Sequence, residues 1–213
     1  NNGVIIVMFI LVIYTGFTSD NFFTRNNFMN ILMNMSSRLV IALGIAGCVI
    51  TAGCDLSAGR MIGFGACISG MLLQRMDYSG KFFPDMQPLN VFVVALIAML
   101  VCAAFGTVTG FFIAYLNVPP FIATLAMMEI VYGIGLIVTN ATPLGGYVEQ
   151  YTNVSNGKFL GINYLIWIAI IVAAITWFIF NMTRHGKYMY AIGGNPQAAE
   201  VAGVPVKATL ILI

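Results

Sequence analysis

Charge is the scarcest commodity in this chain. Of its 213 residues only 9 are Lys or Arg and 7 are Asp or Glu, so charged residues make up 8%. A soluble domain carries roughly 25%. A formal net charge of +2 leaves no basic surface for nucleic acid. Histidine occurs once, at His185, with neither an acid nor a second histidine beside it. It reads as a juxtamembrane surface residue rather than a ligand. There is no HExxH and no other metal-binding cluster. There is no GxxxxGK[ST] phosphate loop either: the Gly-Lys pairs at Gly80, Gly157 and Gly186 lack its spacing and its hydroxyl. Few groups remain for acid–base chemistry, and an enzymatic role for this chain alone is a poor reading. The four cysteines, Cys48, Cys54, Cys67 and Cys102, form no CxxC pair and read as reduced, membrane-buried thiols. An initiator Met and a signal peptide are also missing, and the sequence reads as an internal fragment of something longer.

What the chain has instead is apolar surface: 60% of it is hydrophobic and its mean hydropathy is +0.95. That makes it an integral membrane protein. Runs of about 20 apolar residues suit helices crossing the hydrocarbon core, and they are too long for barrel strands. The expected spans are Gly3–Phe17, Ile31–Ala52, Ala58–Leu73, Val91–Leu116, Phe121–Thr139 and Ile162–Phe180, with a seventh beginning in "KATLILI". The fold class is all-α, a polytopic transmembrane helical bundle forming one domain over 1–213. "TSDNFFTRNNFMN" suits an interfacial segment. Arg38 is placed near the start of the second span, where it can snorkel. "NVPP" makes a tight turn. Small residues four apart, Gly59/Gly63, Gly106/Gly110 and Ala42/Ala46, predict close helix packing. Positive charges do not decide the orientation, although Arg184, His185 and Lys187 favour the end of the sixth span as cytoplasmic.

Three features stand out from the apolar background. The first is "TAGCDLSAGR", Thr51 to Arg60, which places Asp55, Ser57 and Arg60 between two spans with almost no loop. Gly53 and Gly59 permit a broken helix there. Either Asp55 caps the next helix and Arg60 sits at the interface, or the segment lines a polar pathway. The second is Glu129, in mid-span. A charge there is expensive, so it should face a cavity, be paired or be protonated. A neutral acid hydrogen-bonded within the bundle is the plainer alternative.

The third is "YAIGGNPQAAEVAGVPV", Tyr190 to Val206. Asn195 is a good N-cap, Pro196 fits the first helical position, and Gly203 suits the exit. "PQAAEVA" then runs about two turns, too short to be stable in water alone. It must dock, either on its own bundle or in a partner's groove that needs small side chains.

In order along the chain, "DLSAGR", "AYLNVPPFIATLAMM", "IVYGI" and "TRHGKYMYAIGGNPQAAEVAGV" resemble hallmarks of the permease subunits of bacterial ABC sugar importers. These belong to the ribose/galactose branch of the superfamily that also holds branched-chain amino acid permeases. The "AGR" after Asp-Leu-Ser and the loop "QRMDYSGKFFPDM" are similar to the galactoside members. The resemblance implies about ten spans with inverted repeats, in a permease homodimer within the inner membrane. It implies a cytoplasmic amino terminus, and a periplasmic sugar-binding protein that delivers the substrate. A separate cytoplasmic ATPase would use ATP and Mg and bind the loop between spans six and seven. By this carry-over Gly194, Asn195, Ala198, Ala199 and Gly203, with Pro196 and Glu200 between them, form a coupling loop within residues 190–206. Asp55, Ser57 and Arg60 match the motif near the translocation path. Glu129 departs from the family's pattern, and its role stays open. A permease for ribose, another sugar or a nucleoside is the nearest alternative. An ion-coupled carrier using Glu129 and Asp55, or a structural scaffold, is more distant.

Overall fold

The computed structural model describes residues 3–19 and 21–213; Asn1, Asn2 and Asp20, the last in the polar stretch after the first span, lie outside the described residues. The chain runs through α1 (Gly3–Thr18), α2 (Arg25–Ile50), α3 (Ala58–Leu72), α4 (Val91–Leu116), α5 (Pro120–Thr139) and α6 (Glu149–Asn156). A two-stranded hairpin, β1 (Lys158–Phe159) and β2 (Ile162–Asn163), leads into α7 (Tyr164–Met182). Three shorter helices follow: α8 (Arg184–Gly194), α9 (Pro196–Val201) and α10 (Val206–Leu212). The protein is a helical membrane bundle. Helices α2, α4, α5 and α7 are long and apolar enough to cross a bilayer, and α1 and α3 are apolar but shorter. Helix α3 has 15 residues, about 22 Å of rise against a core of about 30 Å.

Local chemistry sets the helix ends, and it moves several of them from where the apolar runs put them. Helix α2 starts at Arg25 rather than Ile31, because the Thr24 side chain accepts from Asn27 N–H and caps it. Part of the expected interfacial segment is therefore helix, and Arg38 lies at the middle of α2, exposed, rather than near its start. Helix α7 begins at Tyr164, where Leu165 N–H donates to Asn163 Oδ1 at 2.8 Å. Residues after Met182 form α8, which the span pattern did not include, because Thr183 accepts from Gly186 N–H. At "NVPP" Asn117 turns left-handed and Pro120 opens α5.

The core lies between α3, α4 and α5, where Phe64, Ile68, Ala98, Met127 and Val131 pack together. Phe64 meets Phe105 edge-on at 5.6 Å. Elsewhere α2 lies along α7, and α10 along α4. Of the expected small-residue contacts, Gly110 makes one: a Cβ there would sit 3.0 Å from Ile211 Cα. Gly59, Gly63 and Gly106 face open space.

The C-terminal ends of α2 and α7 and the first turn of α5 gather at the α9 end of the bundle. At the opposite end Gln74 ties two loops together. It is 1% exposed; its Nε2 donates to Gly145 O at 3.1 Å and its Oε1 accepts from Phe82 N–H at 2.7 Å. Val148 N–H bonds Leu73 O beside it. Gln74→Ala strips two buried backbone groups of partners and should lower unfolding stability by about 1–3 kcal/mol. A thermal melt in detergent would show this, with the neighbouring exposed Arg75→Ala as the near-neutral control.

Candidate functional site

Helix α2 ends at Ile50 and α3 starts at Ala58, so the expected break occupies Thr51–Ser57. The left-handed residue is Ala52, at φ 58°, and neither Gly53 nor Gly59 takes that conformation. The turn is closed by Gly53 N–H donating to Cys48 O at 2.8 Å, a bond that sets the position of the unusual torsion. Asp55 Oδ1 accepts from both Ser57 N–H, at 2.8 Å, and Ser57 Oγ, at 2.7 Å. It therefore organises the entry into α3 one step before the N-cap, which is Ser57 itself. Thr124 on α5 donates to Cys54 O at 3.2 Å and pins the far side of the break.

A cavity of about 470 Å³ opens beside this segment, within the usual range of small-ligand sites. Asp55 and Ser57 line it from the break, Thr107 and Thr109 from α4, Thr124 from α5, and Pro196 from α9. Thr107 and Thr109 donate back to carbonyls of α4, and Thr124 shares its one proton between Cys54 O and the Pro120 carbonyl of its own helix. Their lone pairs are left as acceptors. Asp55 adds its second carboxylate oxygen, since it forms no ion pair among the described residues. The rest of the wall is largely apolar, with Ala103, Ile113, Ile192 and Leu210 among it, so a few acceptors are set in an apolar lining.

Arg60 and Glu129 lie outside this cavity. The Arg60 guanidinium stacks over the Tyr132 ring at 3.9 Å from its centroid. Glu129 is exposed on α5, with no hydrogen bond or ion pair among the described residues. So the four candidate path residues are not brought together: Asp55 and Ser57 line the cavity, Arg60 stacks on Tyr132, and Glu129 stands exposed on α5. Tyr132 carried no signal of its own in the sequence. Thr107, Thr109 and Thr124 were missed because threonine in an apolar helix carries no signal of its own.

The coupling-loop residues fall where their local chemistry puts them. Asn195 Oδ1 accepts from Ala198 N–H at 3.0 Å and caps α9, with Pro196 in its first turn. Gly203 takes φ +84°, the left-handed exit. Helix α9 has two faces. Ala199 is 5% exposed, whereas Val201 is 91% exposed, with Ala198, Glu200 and Ala202 also on the outside. Seating on its own bundle thus uses Ala199 and leaves an open outer surface. Gly194 is exposed at the end of α8, next to Gly193. A Cβ on Gly193 would collide with the Ile50 carbonyl oxygen, so α8 rests directly on the end of α2 at the start of the break.

Residues 27–213 match the family described as branched-chain amino acid transport system / permease component. The chain belongs to this family. It is 41% identical over 218 residues to the galactose/methyl galactoside import permease protein MglC of Escherichia coli K12, covering 99% of this chain and 65% of the relative. It is 42% identical over 217 residues to MglC of Haemophilus influenzae, covering 97% and 65%. The ribose import permease protein RbsC of Escherichia coli K12 is 31% identical over 213 residues, covering 98% and 63%. The chain thus spans about 65% of the length of the galactoside relatives. No solved structure matches it.

Asp55 offers a clean test of the break. Asp55→Asn keeps Oδ1 for the two Ser57 donors, and stability should stay near wild type. Asp55→Ala removes the acceptor and should cost about 1 kcal/mol, as caps do. Comparing the two melts in detergent separates the carboxylate's charge from its capping role.

Proposed function

We propose that this chain is the membrane-spanning permease subunit, in whole or in part, of an ATP-driven importer for galactose or a methyl galactoside. It works in a bacterial inner membrane with its amino terminus in the cytoplasm. The observation that carries this reading is the 41–42% identity to galactoside permeases over almost all of this chain. The lower identity to the ribose permease favours the galactoside over ribose. The cavity at the break sets a few acceptors in an apolar wall, and Asp55 and Ser57 are the candidate contacts for a sugar there.

Partners follow from the same reading. A separate ATPase subunit, using ATP and Mg, grips α9 from the cytoplasm. A periplasmic sugar-binding protein presents the sugar at the opposite end, where Gln74 holds the loops together. A second permease copy completes the pathway. Alternating access then proceeds by tilting of helices around a fixed site. Movement of α9 reaches the break through α8, because Gly193 lies against the Ile50 carbonyl and Pro196 borders the cavity itself.

The outer face of α9 is the point to test. Val201→Asp and Ala198→Trp should abolish co-purification of the ATPase from detergent while the permease melts as wild type does. Ala199→Trp strikes the seated face and should instead destabilise the permease, since overpacking costs about 1–3 kcal/mol. Retention of the ATPase by both Val201→Asp and Ala198→Trp would remove α9 as the docking element. Sugar uptake that needs no ATPase and follows a pH gradient would overturn the importer reading in favour of an ion-coupled carrier.

A further inference from the structure

At the end of the bundle away from α9, Arg25 opens α2 and Lys158 opens the β1–β2 hairpin. Both border one cavity of about 630 Å³. The Arg25 guanidinium reaches across to the hairpin turn, where a Cβ on Gly161 would sit 3.6 Å from its Nη2. Both cations are exposed, and neither enters an ion pair among the described residues. Glu149, on the α6 that precedes the hairpin, pairs with neither. The lining changes character along α2. Arg25 and Asn26 border the cavity at the helix start, Met29 and Asn30 a turn further on, and Met33 a turn beyond that, about 12 Å along the axis from Arg25. Trp167 Nε1 donates to Phe159 O at 3.3 Å and ties the hairpin to the first turn of α7. Indole rings collect at the membrane–water interface, so the cavity spans the step from headgroups to hydrocarbon.

We propose that this cavity seats an anionic phospholipid, with its phosphate between Arg25 and Lys158 and an acyl chain along Met29 and Met33. Charge selects the headgroup. Two cations without a described counter-charge attract a phosphodiester, and the Asn26 and Asn30 amides add donors for its oxygens. A zwitterionic headgroup brings an ammonium that the second cation repels, whereas a net-negative one keeps both attractions. Depth selects a lipid over other anions. Free phosphate or an acidic protein side chain would use the cations and leave the thioether wall bare. A phospholipid covers both, and Phe159 and Leu160, 55% and 78% exposed beside Lys158, extend the apolar surface around it. A lipid held there bridges the start of α2 to the hairpin that leads into α7, and so braces the packing of α2 along α7. The site depends on the membrane-spanning fold and not on the identity of the cargo.

The test uses the full-length permease in mild detergent, with dioleoylphosphatidylglycerol, dioleoylphosphatidylcholine and inorganic phosphate as probes. Native mass spectrometry counts retained lipid, and thermal melting reads the bracing. Phosphatidylglycerol should be retained in preference to phosphatidylcholine and should raise Tm more. A basic side chain near an anionic headgroup is worth about fivefold in affinity. Arg25→Gln and Lys158→Gln should therefore each weaken phosphatidylglycerol about fivefold, and the double variant about thirtyfold. Arg184→Gln with Lys187→Gln removes two cations at the other end of the bundle and should retain the lipid as wild type does. Met33→Asp should weaken the lipid with both cations in place. Melts without added lipid show any folding defect separately. Equal retention of the two lipids by wild type, or unchanged retention by the Arg25/Lys158 double variant, would overturn the site. Inorganic phosphate reproducing the rise in Tm, with Met33→Asp neutral, would make it a free-anion site and overturn the lipid. So would loss of sugar-binding-protein docking by the double variant in nanodiscs free of phosphatidylglycerol, the mark of an acidic protein surface.

Discussion

A helix interrupted inside a bilayer must satisfy its own backbone, because no water is there to do it. That constraint shapes residues 51–57 and everything around them. Thr51 and Gly53 donate back into the last turn of α2, and the Asp55 carboxylate takes the Ser57 N–H. The Cys54 carbonyl is met by a hydroxyl from another helix, Thr124. Helix α5 thus supplies a partner that the break cannot supply from within itself. Once these bonds are made, the segment holds an acid and a hydroxyl at a depth where a continuous helix would present only side chains of ordinary spacing. The 470 Å³ cavity opens against this irregular stretch.

The same segment joins the two ends of the proposed mechanism. Helix α8 touches the end of α2 where a side chain would not fit, and α9 is held to α8 by the Asn195 cap. A push on α9 thus bears on the last turn of α2 with no compressible side chain between them. Packed interfaces of this kind shift between discrete arrangements rather than deforming smoothly. Under the importer reading the break is where a short displacement can be absorbed, since its torsions are not held by a regular ladder. Ala52 in the left-handed region is the one strained residue within it.

How much of this the sequence disclosed depended on how local each signal was. The cap at Asn195, the turn at Gly203 and the stop at "NVPP" were legible because each rests on a few adjacent residues, and the structure has them in place. The break itself was legible from two spans with no loop between them. Its left-handed residue was not, because Gly53 looks the natural choice, while the bond to Cys48 O puts that torsion on Ala52. Helix α8 was not legible because it is glycine-rich and short of apolar periodicity; the Thr183 cap that starts it shows only in the structure. The start of α2 was hidden because its first turn is polar and the apolar run begins later. Glu129 and Arg60 were each visible as an oddity. The ring under Arg60, Tyr132, was not, since it depends on how α3 packs on α5.

The distribution of charge among the spans carries the argument one step further. Helices α1, α4 and α7 contain no charged residue, and broad tracts of each are exposed apolar side chains. They suit direct contact with lipid tails. The charged side chains within spans belong to α2, α3 and α5: Arg25 at the very start of α2, then Arg38, Arg60 and Glu129. Helices α3 and α5 also share the core with α4 and flank the break, so the most rigid part of the bundle is the part that carries the polar groups. Position matters more for these groups than for any others here. Met127 and Val131 lie on the opposite side of α5 from Glu129 and pack against Phe64 of α3. On α5 the packed face and the charged face are therefore separate, and a change at Glu129 leaves the core contacts untouched.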